Sequence, residues 1–593
     1  MVSIERHKQE PVDVNNIWPT IKRLMRYLSA SRVKITLVIF FVLSSSALSL
    51  LAPFLLGYAI DQFLEDLPFD QFTWLLIGLG VVYFFHSLTM WLQHFVMIQL
   101  AQNAVYQMRQ DLFEKLHHLP IPFFDRNTHG DLMSRLTNDL ENVSQTLNTS
   151  VIQLLSSVLT LTGTFIFMIY LSPLLTLVTL SVVPILYFGM NWITKRTRLY
   201  FKQQQQELGE LNGYVEEMIT NHTVVSIFTK EEEAIDEFTT INQRLKKASY
   251  LAQSYSGFIP KLLNVLNNLG FALLALIGGL LAINQIVTIG LIVTFTQYSR
   301  QFTRPLNELA NQFNTVLSAV AGAKRVFAVL NEENEEDITD DDRTWDRIDG
   351  HLTFDQVSFS YTHDQLTLTN INLEASPGEM IAFVGPTGAG KTTMINLITR
   401  FYDPDEGEIR IDGTPIQSVS RRTLRQHIGF VLQDPYLFQA TIRENIRYGK
   451  LDATDEAVEQ AAKEANADPF IRTLPRGYDT VLDQDGGGIS QGQKQLISIA
   501  RAILSDPDLF ILDEATSSID TVTESYIQDA LNNLMKNRTS VVIAHRLNTI
   551  QQADQIFVFN HGEIVESGNH ETLIHQDGFY KSIYQSHFKP STA

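Results

Sequence analysis

A glycine-rich stretch from Gly385 to Thr392 has the spacing of a phosphate-binding loop, GxxxxGK[ST]. It follows an apolar run, Ile381 to Val384, that is typical of a strand, and it precedes the start of a helix. In this context backbone amides at the helix N-terminus bind phosphate oxygens, Lys391 reaches the β and γ phosphates, and Thr392 supplies a hydroxyl to Mg²⁺. The pattern therefore predicts a nucleotide site.

Two further apolar runs end in side chains that suit phosphoryl transfer. "LFILDE" ends in Asp513, which fits a metal-side role, and Glu514, which fits a water-polarising role. A carboxylate pair can also cap an exposed strand end, but the phosphate loop favours the catalytic interpretation. "VVIAHR" places His545 after another strand, where it could contact the γ-phosphate, although an isolated histidine there is more often structural.

The first half of the chain contains four long windows without Asp, Glu, Lys or Arg, at 35–60, 71–108, 142–194 and 262–299. A membrane-spanning helix needs about 20 mostly apolar residues, so the first two windows hold one span each and the last two hold two each. Turns around Pro173 and Asn284 divide the longer windows. The windows predict six transmembrane helices, since a soluble protein would need six such segments buried in succession.

The basic residues predict the orientation of these spans. The connections at 61–71, around Pro173 and around Asn284 carry no Lys or Arg, whereas 109–135 and 195–202 carry several. By the positive-inside rule both termini are cytoplasmic. The N-terminal residues lack a basic region followed by an apolar core, so we expect no cleaved signal peptide.

The composition excludes several other functions. Without cysteine the chain has no disulfide, no cysteine metal site and no thiol catalysis. A formal net charge of −20 argues against nucleic acid as a partner. The 593 residues are too many for one hydrophobic core. We predict an all-α six-helix transmembrane domain at 1–325, with an interfacial helix before the first span, an acidic linker at 326–349 and an α/β P-loop ATPase domain at 350–593.

Further motifs make the chain resemble an ABC transporter of the exporter type, with the membrane domain fused to the ATPase domain. They are "SFSY" with Tyr361, "VLQDPYLF" with Gln433, "ISQGQ" at 489–493, "LDEATSSID" with Asp520, and "IAHRL" with His545. In the membrane half, 123–143 resembles the first intracellular loop of the family, and 216–238 resembles the second with its coupling helix.

The resemblance implies the cofactors ATP and Mg²⁺ and assigns a role to each motif. It makes Tyr361 the adenine-stacking residue. Catalytic roles fall on Glu514, His545 and Gln433, and Mg²⁺ binding on Thr392, Gln433 and Asp513. Nucleotide contacts fall on Tyr361, Gly385, Pro386, Thr387, Gly388, Ala389, Gly390, Lys391, Thr392, Thr393, Ser490, Gln491, Gly492, Gln493 and Asp520.

The family works as a dimer in which each ATP lies between the phosphate loop of one subunit and the signature of the other. ATP-driven closure would then switch a membrane cavity from inward to outward access. The resemblance also implies a multi-pass protein of the plasma membrane, here of a bacterium. Its partners would be membrane lipid, an amphipathic small-molecule substrate and a second half-transporter.

The signature departs from the family pattern, Leu-Ser-Gly-Gly-Gln, because Gln491 replaces the first glycine. Glycine lets backbone amides approach a phosphate closely, and glutamine adds a side chain there. In addition, 483–486 is Asp-Gln-Asp-Gly where the family usually has Gly-Glu-Arg-Gly. These changes are either tolerated drift in a homodimer or the mark of a poorly hydrolysing site shared with a non-identical partner.

The second interpretation resembles one half of bacterial heterodimeric multidrug exporters, the half with an intact carboxylate after the Walker B aspartate. A lipid or lipopolysaccharide flippase on the same fold is the nearest alternative. An ATP-gated channel also stays open. A soluble P-loop ATPase of the chromatin or translation type would lack the six apolar spans.

Overall fold

The computed structural model describes residues 17–64, 69–335, 345, 347–362, 366–513, 520–544 and 546–587. The chain forms two compact units as far as it is described. The first, the membrane unit, takes residues from 1–117 and His129–Glu332, and the second, the ATPase unit, takes His118–Thr128 and residues from 333–593. One short internal segment thus belongs to the ATPase unit although both its neighbours in the chain belong to the membrane unit.

The first eleven helices cover residues 18–331. In chain order they are α1 Trp18–Leu28, α2 Arg32–Leu64, α3 Phe69–His117, α4 Ile121–Arg126, α5 His129–Ser134, α6 Leu140–Gln145, α7 Val151–Leu171, α8 Pro173–Thr220, α9 His222–Ile227, α10 Glu231–Ile283 and α11 Ile289–Asn331. All except α4 lie in the membrane unit. Two π-helical turns, Arg135–Asp139 and Thr146–Ser150, join α5, α6 and α7 into one helical stretch.

Five of the described helical stretches are long and apolar enough to cross a membrane. They are Arg32–Leu64, Asp70–His117, His129–Leu171, Pro173–Thr220 and Glu231–Ile283. The sixth predicted span falls in α11, whose apolar start soon gives way to Gln297, Arg300 and Gln301. A helix with this composition is less apolar than the other five, which fits a position that contacts protein or water as well as lipid.

Polar side chains within the spans connect neighbouring helices. Gln93 on α3 is buried and accepts a hydrogen bond from the Ser45 hydroxyl on α2 (3.1 Å). His86 Nδ1 lies 3.1 Å from the backbone oxygen of Ser45. The α11 side chains of Tyr298 and Gln301 donate to the backbone oxygens of Leu50 and Ser49. Such bonds are favourable where water is excluded, and they join α2, α3 and α11.

The N-terminus of α11 packs closely against α2. The hydroxyl of Thr288 caps the helix by accepting from the Leu291 amide (3.2 Å). The carboxylate of Asp61 on α2 accepts hydrogen bonds from the Gly290 amide and the Thr288 hydroxyl, each at 2.6 Å. A Cβ atom on Gly290 would come 1.9 Å from the Gly57 oxygen, and one on Gly57 would come 1.9 Å from Oγ1 of Thr294. Only glycine permits this approach.

The other end of α11 is held by an ion pair. Arg325 donates from Nε to Oδ2 of Asp139 (2.8 Å) and from Nη2 to Oδ1. The Asp139 side chain is 5% exposed and that of Arg325 is 44% exposed. Gly322 leaves room for the carboxylate, because a Cβ there would lie 3.3 Å from Oδ1. The helix continues to Asn331, so the predicted linker at 326–349 begins inside it.

The described residues of the ATPase unit form two sheets. Its strands are β1 Leu352–Phe359, β2 Leu368–Ala375, β3 Met380–Val384, β4 Glu406–Ile411, β5 Thr414–Pro415, β6 Ile428–Val431, β7 Leu509–Asp513, β8 Thr539–Ile543, β9 Gln555–Asn560 and β10 Glu563–Gly568. An antiparallel sheet has the order β2-β1-β4-β5. The larger sheet has the order β10-β9-β3-β8-β7-β6 and is parallel except for β10.

In the described part of the ATPase unit, ten α-helices besides α4 accompany these sheets. They are α12 Lys391–Ile398, α13 Arg421–Gln426, α14 Ile442–Arg447, α15 Asp455–Glu464, α16 Asp468–Thr473, α17 Gln491–Ser505, α18 Thr521–Met535, α19 Leu547–Gln552, α20 His570–His575 and α21 Phe579–His587. The central strands β3, β7 and β8 are almost wholly buried, which explains their continuous apolar sequences. Buried clusters lie on both faces of the large sheet.

Candidate nucleotide site

The parallel strands bring the phosphate loop, Asp513 and Gln433 to one edge of the large sheet. Phe383 pairs with Ile543, Ile543 with Asp513, and Leu512 with Val431. The carboxyl ends of β3, β8, β7 and β6 therefore lie side by side, and ligands of open α/β sheets bind outside such ends. The phosphate loop follows β3, Asp513 ends β7, and Gln433 comes two residues after β6.

The phosphate loop has the backbone that its glycines predict. Gly388 and Gly390 have φ angles of 82° and 104°, a region that favours glycine, and Gly390 is the residue before α12. A Cβ on Gly385 would lie 2.3 Å from the backbone oxygen of Phe559. The amides at the start of α12 therefore follow a tight turn and are available to an anion.

Lys391 lies over this loop. Its ammonium group donates to the backbone oxygens of Gly385 (2.7 Å) and Pro386 (3.0 Å), while the residue is buried. Burial lowers the pKa of Lys391 below its ordinary value, and the Asp513 carboxylate partly offsets this effect. A buried cation between the loop and a carboxylate fits a group that pairs with phosphate.

Tyr361 is held against α12 and still has an accessible ring. Its hydroxyl donates to Oγ1 of Thr393 (3.2 Å) and accepts from Nδ2 of Asn396 (3.0 Å). Its ring makes edge contacts with Phe359 and Tyr402, with centroids 4.9 and 5.0 Å away. The side chain of Tyr361 is 42% exposed, so a planar base could stack on it.

The predicted Mg²⁺ ligands are oxygen donors at the same edge. Thr392 and Gln433 are exposed, and Asp513 is partly buried at the end of β7. In the described part of the chain no cluster of three or more His, Cys, Asp or Glu could hold a metal by itself. A hydroxyl, an amide and one carboxylate suit Mg²⁺, which usually keeps water and phosphate oxygens as its other ligands. These residues fit Mg²⁺ together with a nucleotide.

The structure does not describe the remaining predicted catalytic residues, but it does describe Asp520, a predicted nucleotide contact. Glu514 and His545 lie outside the described residues. Asp520 caps α18, because its Oδ1 accepts a hydrogen bond from the Thr523 amide (2.9 Å). This bond lowers the pKa of Asp520.

The signature forms the start of α17. Ser490 and Gln493 make a reciprocal capping box, in which the Gln493 amide donates to the Ser490 hydroxyl (3.3 Å) and the Ser490 amide donates to Oε1 of Gln493 (3.0 Å). Gly492 is buried, and Gln491 is the exposed first residue of the helix. Nε2 of Gln491 lies 3.5 Å from Oδ1 of Asp434, a contact that the sequence alone does not predict.

The fold and this site together define a P-loop ATPase whose chain also carries membrane-spanning helices. Comparison with known proteins agrees: residues 35–306 match the family of the ABC transporter transmembrane region, and residues 368–517 match the family described as ABC transporter. The chain belongs to the ABC transporter family, and the predicted fold class is confirmed. It is an ATP hydrolase coupled to transport across a membrane, and it uses ATP with Mg²⁺.

Relatives match over nearly the whole chain. An uncharacterized ABC transporter ATP-binding protein of Bacillus subtilis, YfiC, is 54% identical over 96% of this chain and 94% of its own. A fatty acid ABC transporter ATP-binding/permease protein of Mycobacterium bovis is 38% identical over 95% of this chain and 96% of its own. An ATP-dependent lipid A-core flippase of Syntrophus aciditrophicus is 35% identical over 96% of this chain and 94% of its own. The chain is therefore a multi-span membrane protein of the ABC exporter type with bacterial relatives.

Proposed function

We propose that this chain is one half of a heterodimeric ABC exporter that moves amphipathic small molecules out of a bacterial cell. In this proposal it lies in the plasma membrane with both termini and the ATPase unit in the cytoplasm. The complex has one catalytic and one degenerate ATP site. The observation that carries the proposal is the exposed Gln491 at the first position of α17, beside the carboxylate of Asp434.

The proposal follows from what an ATP phosphate would meet at this helix. A helix N-terminus attracts anions through its free amides and its dipole, over about one turn. Here the exposed side chain of Gln491 stands at the first residue of the helix with the Asp434 carboxylate beside it, and Asp483 and Asp485 come shortly before it in the sequence. Negative charge at that end opposes a triphosphate, so we assign this signature to the poorly hydrolysing site.

The chain's own phosphate loop would form the catalytic site with the partner's signature. Lys391 and the loop amides hold the phosphates, Tyr361 stacks on adenine, and Thr392, Gln433 and Asp513 hold Mg²⁺. Glu514 orients the attacking water and His545 contacts the γ-phosphate. When bound, ATP would supply the phosphoryl group and Mg²⁺ would neutralise part of the phosphate charge. Positioning and electrostatic stabilisation are then the contribution of the protein.

Native mass spectrometry of the complex, purified gently from its own host, tests the assembly. We expect a one-to-one complex with a second ABC half. Two copies of this chain alone, active in ATP hydrolysis, would refute the heterodimer. They would favour the alternative of a homodimer with two equivalent sites.

A charge substitution tests the degenerate site independently. Gln491→Glu keeps the shape of the side chain and adds a negative charge where a working signature would meet phosphate. If the site is idle, turnover of the complex should change by less than about twofold, whereas a working site should lose about tenfold or more. Gln552→Glu, an exposed position on α19, is the matched control for the added charge.

A second substitution tests the catalytic assignment. Glu514→Gln should remove most ATP hydrolysis and leave ATP binding intact. The substitution removes the carboxylate that orients the attacking water, but it removes no contact with the phosphates. Substantial remaining turnover would show that another residue performs this role.

Two relatives favour a lipid as the alternative substrate, since their names specify a fatty acid and lipid A-core. Proteoliposomes that contain the complex can separate the two candidates. ATP-dependent movement of a fluorescent cationic dye into the lumen of inside-out vesicles supports the drug-type exporter. Translocation of a fluorescent phospholipid without dye movement supports the flippase.

A further inference from the structure

The segment His118–Thr128 belongs to the ATPase unit and is hydrogen-bonded to two other parts of it. This segment contains α4, and the helices before and after it, α3 and α5, belong to the membrane unit. Near its end, Asp125 accepts a hydrogen bond from the Tyr402 hydroxyl at 2.7 Å. Near its start, the His118 oxygen accepts one from the Glu335 amide at 2.8 Å. The segment is therefore fixed at two points.

The residue at the second point, Glu335, is also connected to the end of α12, the helix that follows the phosphate loop. The Glu335 carboxylate accepts two hydrogen bonds from Arg425, at 2.8 and 3.1 Å. The same guanidinium donates to the backbone oxygens of Thr399 and Arg400, directly after α12. This bidentate pair is a rigid anchor and has no contact with the predicted base-stacking residue.

The Tyr402 contact is different, because Tyr402 also touches the residue expected to stack on adenine. The rings of Tyr402 and Tyr361 meet edge to face, with centroids 5.0 Å apart, and both pack on Phe359. A base on the accessible face of Tyr361 would restrict that ring and, through it, Tyr402. Burial and the neighbouring Asp125 carboxylate both raise the pKa of Tyr402, so the hydroxyl keeps its proton and donates at neutral pH.

We propose that Tyr402 is a positioning residue that makes the segment His118–Thr128 respond to the nucleobase in the site. The ring contact with Tyr361 receives the base, and the hydroxyl bond to Asp125 passes the restriction to α4. Phosphate binding alone would leave this connection unchanged. The inference rests on the proposed adenine role of Tyr361 and is independent of whether the partner subunit is identical.

Hydrogen–deuterium exchange of the purified full-length complex in lipid nanodiscs tests this proposal. In the unsubstituted protein, MgATP should slow exchange of the α4 amides by about threefold or more, and magnesium tripolyphosphate, which has no base, should not. Tyr402→Phe keeps the ring and removes the hydroxyl, so the ATP-dependent slowing should disappear while the Kd for ATP stays within about twofold. Asp125→Ala should have the same effect, and Asp125→Asn, which keeps an acceptor oxygen, should restore much of it.

Tyr478 provides a matched control, since its hydroxyl donates to Asp468 at the same distance, 2.7 Å, elsewhere in the ATPase unit. Tyr478→Phe should leave the response of α4 unchanged. Equal slowing by ATP and tripolyphosphate in the unsubstituted protein, or a full response in Tyr402→Phe, would overturn the proposal. The Kd of Tyr361→Ala for ATP tests the adenine role of Tyr361 separately from the connection through Tyr402. An unchanged ATP affinity in that variant refutes the adenine site itself, whereas a weakened affinity with a full Tyr402→Phe response refutes only the connection.

Discussion

Replacing Arg325 with glutamine removes the counter-ion of a buried carboxylate. Asp139 is 5% exposed and receives both of its side-chain hydrogen bonds from Arg325. Breaking a buried ion pair on one side costs about 3–5 kcal/mol, and we take the low end, about 3 kcal/mol, because the guanidinium is 44% exposed. Asp139→Asn should cost only about 1 kcal/mol, since the remaining guanidinium can reach water.

Thermal unfolding of the four proteins, unsubstituted, Arg325→Gln, Asp139→Asn and the double variant, measures this difference. The double variant should be more stable than Arg325→Gln alone, because the second substitution removes the stranded charge. At roughly 2 °C per kcal/mol, Arg325→Gln should lower Tm by about 6 °C. A double variant less stable than Arg325→Gln, with additive losses, would refute the account of a buried, coupled pair.

Three further predictions concern the glycines between α2 and α11, the side chain of Asp61, and the titration of Lys391. Gly57→Ala and Gly290→Ala should sharply reduce the yield of folded protein, because the added Cβ would lie 1.9 Å from the nearest atom; Gly279→Ala, with open space, should not, as size-exclusion profiles would show. Asp61→Ala should lower stability by about 1 kcal/mol because the Gly290 amide and the Thr288 hydroxyl lose their acceptor, and an unchanged melting curve would contradict that role. The folded pKa of Lys391 is lowered, so the unfolded chain binds more protons just below the ordinary lysine pKa. Stability of the nucleotide-free protein should therefore gain a component that rises with pH in that window and is missing in Lys391→Met, as unfolding curves at several pH values would reveal.

Local patterns predicted most of the phosphate site. A few adjacent residues determine each of its parts. The glycine spacing predicts the phosphate loop, and the apolar runs predict the strand before it and the strand that ends in Asp513. Helix α8 continues to Thr220, through the charged sequence after Lys195.

Contacts between distant residues were not predictable in the same way. Asp125 and Tyr402 are 277 positions apart, and Asp139 and Arg325 are 186 apart. Periodicity predicts which face of a helix is apolar, but not which polar residue of another element will face it. The contact of Gln491 with Asp434 is a further example: the glutamine was conspicuous in the sequence as a departure, yet its neighbour depends on how α17 meets the loop after β6.

The place of His118–Thr128 in the ATPase unit also bears on how such proteins can be recombined. A chimera that exchanges ATPase domains at a single junction near Glu332 would separate this segment from Tyr402, Glu335 and the residues around them. A functional exchange therefore needs two grafts, the C-terminal domain and eleven residues transplanted between α3 and α5. Gene fusion and domain shuffling would meet the same requirement, so this segment and its contact surface should change together as the two halves of the chain diverge.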